Sequence, residues 1–192
     1  MAQYNGYITV PHQSYNQWRN ATLGNGYNVD YMFGDQCWDY CALLYWQYGL
    51  TLVTKVGGGA AADCWNISRQ ANSRPPFISI TGKENIRRGD ILVWNRSATS
   101  STGHIAFADE NYRTSGNKSR IWTLGQAPTM HGLYGGVHRD EFSLNNFLGI
   151  FRNTLWDSEP GPTPPTPTPT SISKKHKFPW AIAWNHWSNF NH

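Results

Sequence analysis

Between Asp39 and Leu52 the apolar residues Tyr40, Cys41, Leu43, Leu44 and Tyr48 recur at mixed spacings of three and four. That period turns one face of a helix toward a core, and it predicts a helix over this stretch. Residues 55 to 77 hold a glycine run followed by "AADCWNISRQA", which predicts a second helix. Beyond it the pattern changes. "GDILVW" (89–94), "GHIAFAD" (103–109), "RIWTLGQ" (120–126) and "FLGIFRN" (147–153) are short apolar segments separated by Gly, Ser and Asn. Such segments read as antiparallel strands. Helices followed by strands predict an α+β domain, with N-terminal helices packed on an antiparallel β-sheet.

The composition breaks once, at "PGPTPPTPTPT" (160–170). Alternating proline and threonine cannot pack a core and form a semi-rigid tether. The chain therefore divides into a globular domain over 1–156, a Pro/Thr-rich linker over 157–171 and a short basic and aromatic segment over 172–192. In that last segment Lys174, Lys175, His176 and Lys177 precede Trp180, Trp184 and Trp187. The tryptophans fall at i, i+4 and i+7, one helical face, which suits an interaction segment. A disordered end, the stub of a lost module and a segment packed on the domain are the alternatives.

Charge and cysteine content narrow the function classes. Sixteen Lys and Arg against twelve Asp and Glu leave a net charge of +4, which suits an anionic partner. No long Lys/Arg run is present, which argues against nucleic acid. Three cysteines, an odd number, argue against a disulfide framework and fit folding in a reducing cytosol. The start "MAQYNGYITV" lacks the basic and apolar regions of a signal peptide, and no window approaches a membrane-spanning apolar length.

The chemistry concentrates in "GDQCWDYC" (34–41). Cys37 and Cys41 lie at i and i+4, so both would share one helix face as small core residues. A zinc site wants paired short spacings of four ligands, which the lone Cys64 and the scattered histidines do not supply. A disulfide within one turn has poor geometry. The functional alternative separates the two. Cys37 falls in the first helical turn, where free amides and the dipole favour a thiolate, while Cys41 faces the core. His104, after Gly103 at the start of an apolar strand, is the candidate base.

"FGDQCWDYCALLYW", "RRGDILVW", "STGHIAFAD" and "FLGIFRN", in this order over about 25 to 155, resemble the landmarks of the CHAP domain (cysteine, histidine-dependent amidohydrolase/peptidase). The resemblance implies a papain-like α+β fold and cleavage of peptidoglycan, at the muramoyl–L-alanine amide or within the peptide and cross-bridge. The family's Gln-Cys-x-Asp pattern matches Gln36, Cys37 and Asp39, and its Gly-His matches Gly103 and His104. The implied mechanism is acyl transfer, with Cys37 as nucleophile, His104 as proton carrier, and the Cys37 amide with the Gln36 side chain at the oxyanion. Gln36 as an ordinary residue at a helix N-terminus is the alternative. Many members carry Glu-x-Asn on the strand after the histidine. Here that stretch reads Leu124-Gly125-Gln126-Ala127, which leaves Gln126 as the candidate third catalytic residue and Asp109 or Glu110 as fallbacks.

Some lysins of this family carry a calcium loop around the cysteine, and "NVDYMFGDQCWD" matches it. Asn28, Asp30 and Asp39 fall at its side-chain positions and Met32 at its carbonyl position. The alternative is that Asn28 and Asp30 are turn residues and Asp39 an acid favoured by the helix dipole.

The resemblance thus implies a phage-type peptidoglycan hydrolase of Gram-positive walls, an endolysin or a virion-associated lysin. A non-catalytic virion structural protein with a degenerate domain is the alternative. The expected partner is peptidoglycan, with the 172–192 segment contacting wall, membrane or a virion protein and the free protein a monomer. Synthesis is expected in the infected host's cytoplasm, with action at the cell wall.

Overall fold

Alternation along the central strands of the sheet decides which side chains meet the helices. The computed structural model describes residues 9–32, 34–55, 59–97, 100–112, 119–126 and 136–156, all within one compact unit, Met1–Glu159. The linker and terminal segment expected from the sequence lie outside the described residues. Four helices, α1 (Tyr15–Thr22), α2 (Cys37–Gln47), α3 (Asp63–Asn66) and α4 (Arg69–Asn72), precede the strands. The strands are β1 (Phe77–Ile80), β2 (Ile91–Trp94), β3 (His104–Ala108), β4 (Arg120–Gly125), β5 (His138–Ser143) and β6 (Phe147–Asn153). They form one antiparallel sheet in the order β1-β6-β2-β3-β4-β5. The expected α+β architecture is present.

Successive side chains of a strand point to opposite faces. On one face Ile91, Val93, Ile105, Phe107, Leu124 and Phe151 pack with Tyr40, Cys41 and Leu44 of α2. On the other, Leu92, Trp94, Ala106, Ala108, Ile121 and Ile150 form a second apolar cluster under Ile86 and Leu144. The first cluster is strongly aromatic. Tyr40 lies between Trp18, at a ring separation of 5.6 Å, and Phe107, at 5.0 Å. Its hydroxyl pairs with Thr22 Oγ1 at 2.8 Å. These contacts join α1, α2 and β3 into one rigid block beneath the N-terminus of α2.

Several extents differ from the sequence expectation. The first predicted helix runs Cys37–Gln47 rather than 39 to 52, and every residue from Asp39 to Tyr45 is buried. A helix buried on all sides shows no clean apolar stripe to mark its ends. The predicted second helix is two short ones, α3 and α4, separated by Ile67 and Ser68. Helix α1 gave little signal in YNQWRNAT because only Tyr15, Trp18 and Thr22 are buried. It starts at Ser14, whose hydroxyl accepts from the Gln17 amide at 3.2 Å. The two unforeseen strands, β1 and β5, are the sheet's edges. Edge strands carry charge or proline that discourages further pairing. Here β1 follows Pro75-Pro76, and β5 reads HRDEFS.

Candidate active site

Cys37 is the first residue of α2, so its amide belongs to the turn whose donors have no partner within the helix. Asp39 fixes that turn. Its Oδ2 accepts from the Gln36 amide at 2.9 Å, while Oδ1 accepts from the amides of Val29 at 2.8 Å and Asp30 at 3.4 Å. One buried carboxylate thus ties the helix start to the 28–32 loop.

The Cys37 sulfur sits where β3 and β4 part. Asp109 donates its amide to Trp122 on β4, so by alternation the amides of Phe107 and Ile105 point the same way. Pairing with β4 ends at Phe107–Leu124, which releases the Ile105 amide. That amide instead donates to the Cys37 sulfur. His104 is the adjacent residue, but by alternation its imidazole lies on the sheet face opposite α2, against Trp94 and Phe142, while Cys37 packs with the α2 cluster.

His104 is placed by Gly103. A side chain at Gly103 would meet the Trp94 carbonyl oxygen and Ala62, and its φ of +72° suits glycine. The imidazole stacks on Phe142 at 4.2 Å, nearly parallel at 7°, with Trp94 5.6 Å away. Among the described residues no hydrogen bond joins it to Cys37, and such bonds often tighten only around substrate. A cleft of about 330 Å³ opens beside His104, lined by Trp94, Asn95, Ser97, Ser100, Asn145 and Asn146 among others. Apart from His104 itself, no titratable side chain is among its described lining residues.

Electrostatics correct one expectation. Burial outweighs the first-turn amides of Trp38 and Cys37, which lower the Cys37 thiol. Burial pushes it up to about 11, the amides of Ile105 and Trp38 offset only part of this, and the nearby Asp39 charge adds to the rise. Burial likewise pushes the His104 imidazole down to about 4, with Asp140 opposing and His138 assisting the shift. Low dielectric disfavours both charged forms, so the resting pair is a neutral thiol and a neutral imidazole. Cys41 and Cys64 are fully buried, and burial raises both thiols further. All three cysteines are free, as expected.

The other predicted residues fall as follows. Gln126 is buried beside the pair, but its amide is committed to backbone. Oε1 accepts from the Tyr27 amide at 2.9 Å, and Nε2 donates to the carbonyls of Tyr27 and, at 3.1 Å, Gln36. It clamps the nucleophile's loop rather than accepting from His104. The Gln36 side chain turns back to the Met32 carbonyl at 3.5 Å. Trp38 is half-buried against the main core, and its indole nitrogen is without a partner. Asp109 lies past the far end of β3, roughly 16 Å from His104 by strand rise. There it accepts from Tyr15, Arg19 and Arg139. Glu110 accepts from the Trp122 amide at 3.0 Å. Asp140 and His138 on β5, a strand the apolar pattern does not mark, line a small cavity with His104.

The loop residues meet the needs of a hard cation. Asn28 Oδ1 is buried without a hydrogen-bond partner. Burial, helped by the neighbouring Asp30 carboxylate, raises Asp39 to about 6. An unpartnered amide oxygen, two mutually repelling carboxylates and the Met32 carbonyl are all oxygen donors, the set that suits calcium. No group of three or more His, Cys, Asp or Glu gathers among the described residues.

Comparison with known proteins agrees with this architecture. The family model described as "CHAP domain" matches residues 23–127, more than half of the 192 residues. A solved structure described as "Crystal structure of a wild type endolysin LysIME-EF1" is similar, with TM-score 0.55 and 18% identity over 76% of this chain and 66% of that one. A second, "The crystal structure of Ly7917", has TM-score 0.47 and 16% identity over 77% of this chain and 63% of that one. The chain therefore spans less than two thirds of either neighbour's length. No curated protein matches the sequence. With the cysteine at the head of its helix, the histidine opening the facing strand and the family model covering both, the chain belongs to the CHAP family and has its papain-like α+β fold.

Proposed function

We propose that this chain is a phage-type peptidoglycan hydrolase, a lysin that cleaves an amide of the Gram-positive cell wall by acyl transfer through Cys37 and His104. The observation that carries the reading is the Cys37 sulfur held by the Ile105 amide, one residue from His104, at the head of α2. The neighbour called an endolysin supports the substrate class.

In this reading His104 takes the Cys37 proton as sulfur attacks the wall carbonyl carbon, because the resting thiol is neutral. The first-turn amide of Cys37 faces the oxyanion that forms, joined by the Gln36 side chain when it swings away from Met32. His104 then gives the proton to the departing nitrogen, the carbon–nitrogen bond breaks, and a thioester remains. Water adds to the thioester with His104 accepting its proton, and the thiol is restored. The uncharged cleft beside His104 receives a neutral, amide- and hydroxyl-rich stretch of substrate.

Calcium, in the same proposal, is held by Asn28, Asp30, Asp39 and the Met32 carbonyl. It would supply the positive charge that keeps Asp30 and Asp39 ionised together and fixes the loop before the nucleophile. Calcium should raise Tm and bind more tightly as pH rises through about 6, since Asp39 must lose its proton to bind. An unchanged Tm at millimolar calcium would remove this part of the proposal.

The reading is tested with purified Gram-positive walls, wild-type protein and Cys37→Ala matched for Tm. Turbidity loss by wild type alone is expected, and mass spectrometry of the released ends identifies the bond. Free L-alanine amino termini mark an amidase, whereas new glycine or D-alanine ends mark an endopeptidase. Equal lysis by both proteins overturns the nucleophile assignment. No lysis by either on several wall types favours a non-catalytic virion component, which the commitment of Gln126 to backbone would then explain.

A further inference from the structure

With Gln126 committed to backbone and Leu124 packed in the main core, β4 offers His104 no acidic side chain, and the Thr123 hydroxyl at the same cavity donates to the Asp140 carbonyl. We propose that Asp140 is the positioning residue of His104, holding the imidazole from β5, across Gly125, through one bridging water.

The three positions share one sheet face and one cavity. Ala108 pairs with Thr123, and Thr123 and Gly125 pair with Asp140 and His138. By alternation His104, Gly125, His138 and Asp140 share one face of the sheet. Two strand spacings, roughly 10 Å, separate β3 from β5, and the register sets Asp140 level with Ala108, four residues from His104. What brings β5 to His104 is the stacking of Phe142 on the imidazole and the cavity lined by both strands. A side chain on the intervening strand would block that path, and position 125 has none. His104 Nε2 lies 3.9 Å from where a Cβ on Gly125 would stand. Between His104, Gly125, His138 and Asp140 is a cavity of about 10 Å³. That is room for a single water with polar partners. The Asp140 carboxyl is itself fixed at Oδ1 by the Glu141 amide at 2.7 Å.

The chemistry follows from which nitrogen faces the cavity. An acceptor on the Gly125 side keeps the proton on Nε2 and leaves the Nδ1 lone pair for the thiol proton. When His104 becomes imidazolium during attack, the Asp140 charge stabilises it. The direction of the Asp140 effect on His104 agrees. His138 is the other titratable side chain described at the cavity, and its Nδ1–H donates to the Gly136 carbonyl at 2.8 Å.

The effect on rate rests on the hydrolase reading, whereas the effect on the imidazole does not, so both are measured. Asp140→Asn is compared with Asp140→Glu and with Glu141→Gln, which makes the same charge change on the opposite face. The expected result for Asp140→Asn is a kcat roughly 10- to 100-fold lower with KM within about twofold. Nitrogen-15 imidazole spectra should show His104 losing its Nε2–H preference. Asp140→Glu regains part of the rate, and Glu141→Gln matches wild type. Wild-type kcat and unchanged His104 spectra in Asp140→Asn overturn the proposal, as does His138→Gln reproducing the loss alone. If wild type hydrolyses no wall, the hydrolase reading has failed and the imidazole spectra alone decide. If Asp140→Asn does not fold, Gly125→Ala takes its place, since a methyl there fills the path. Unchanged His104 spectra in that variant overturn the proposal equally.

Discussion

Cys37 carries its proton at neutral pH because removing the sulfur from water costs more than the amides of Ile105 and Trp38 return. Iodoacetamide labelling of Cys37 should therefore be slow at neutral pH and rise about tenfold per pH unit toward 10, without a plateau, as a thiol titrating near 11 requires. A plateau below neutrality, followed by mass spectrometry of the labelled peptide, would mean a preformed thiolate. That Cys37 and His104 each open an element was legible in the sequence, from Gly34 shortly before the helix and Gly103 directly before the strand. The ionisation of Cys37 was not legible. It depends on how far the sheet closes over the helix start, a tertiary quantity that helix-dipole reasoning omits. Gln126 was legible as a site-adjacent amide but not in its role. The Tyr27 backbone that engages it is distant in sequence.

At the scale of elements, the site depends on two junctions, the Asp39 turn at the head of α2 and the Gly103 turn at the head of β3. Gly103→Ala should lower stability by about 2 kcal/mol or more, because the left-handed backbone costs about 1–2 kcal/mol for an L side chain and the new methyl meets backbone. Urea unfolding measures this, and a change under about 0.5 kcal/mol, within the range of an ordinary surface substitution, would contradict the account of the turn. The four internal or near-internal strands were readable from their apolar runs. The edges β1 and β5 were not, and missing β5 concealed Asp140. An edge strand is selected to look unlike a strand, as HRDEFS does. The third position of the site was therefore sought on β4, where the family resemblance pointed, rather than one strand further out.

For the molecule as a whole, two buried groups set opposing pH dependences in the metal-free protein. His104 falls in the folded state from near 6.5 to about 4, so its contribution is present above 6.5 and lost as pH falls through 4. Asp39 rises from near 3.8 to about 6, so its contribution is present below 3.8 and lost as pH rises through 6. In EDTA, His104→Gln should gain stability as pH falls from 6 toward 4, whereas Asp39→Asn should lose it over the same window. Thermal melts across this window check both signs, and parallel profiles for the two variants would contradict them. The segregation of helices and strands was readable from the order of periodicities along the chain, while the way the sheet opens at β3 and β4 to admit a sulfur was not. The central claim is that wall cleavage passes through sulfur. Acid-quenching the protein within its first turnovers on a soluble wall fragment, then mapping peptides by mass, tests it most directly. An acyl fragment is expected as a thioester on the peptide bearing Cys37, absent in Cys37→Ala. Cleavage by both proteins at equal rates, with no adduct on Cys37, would contradict it.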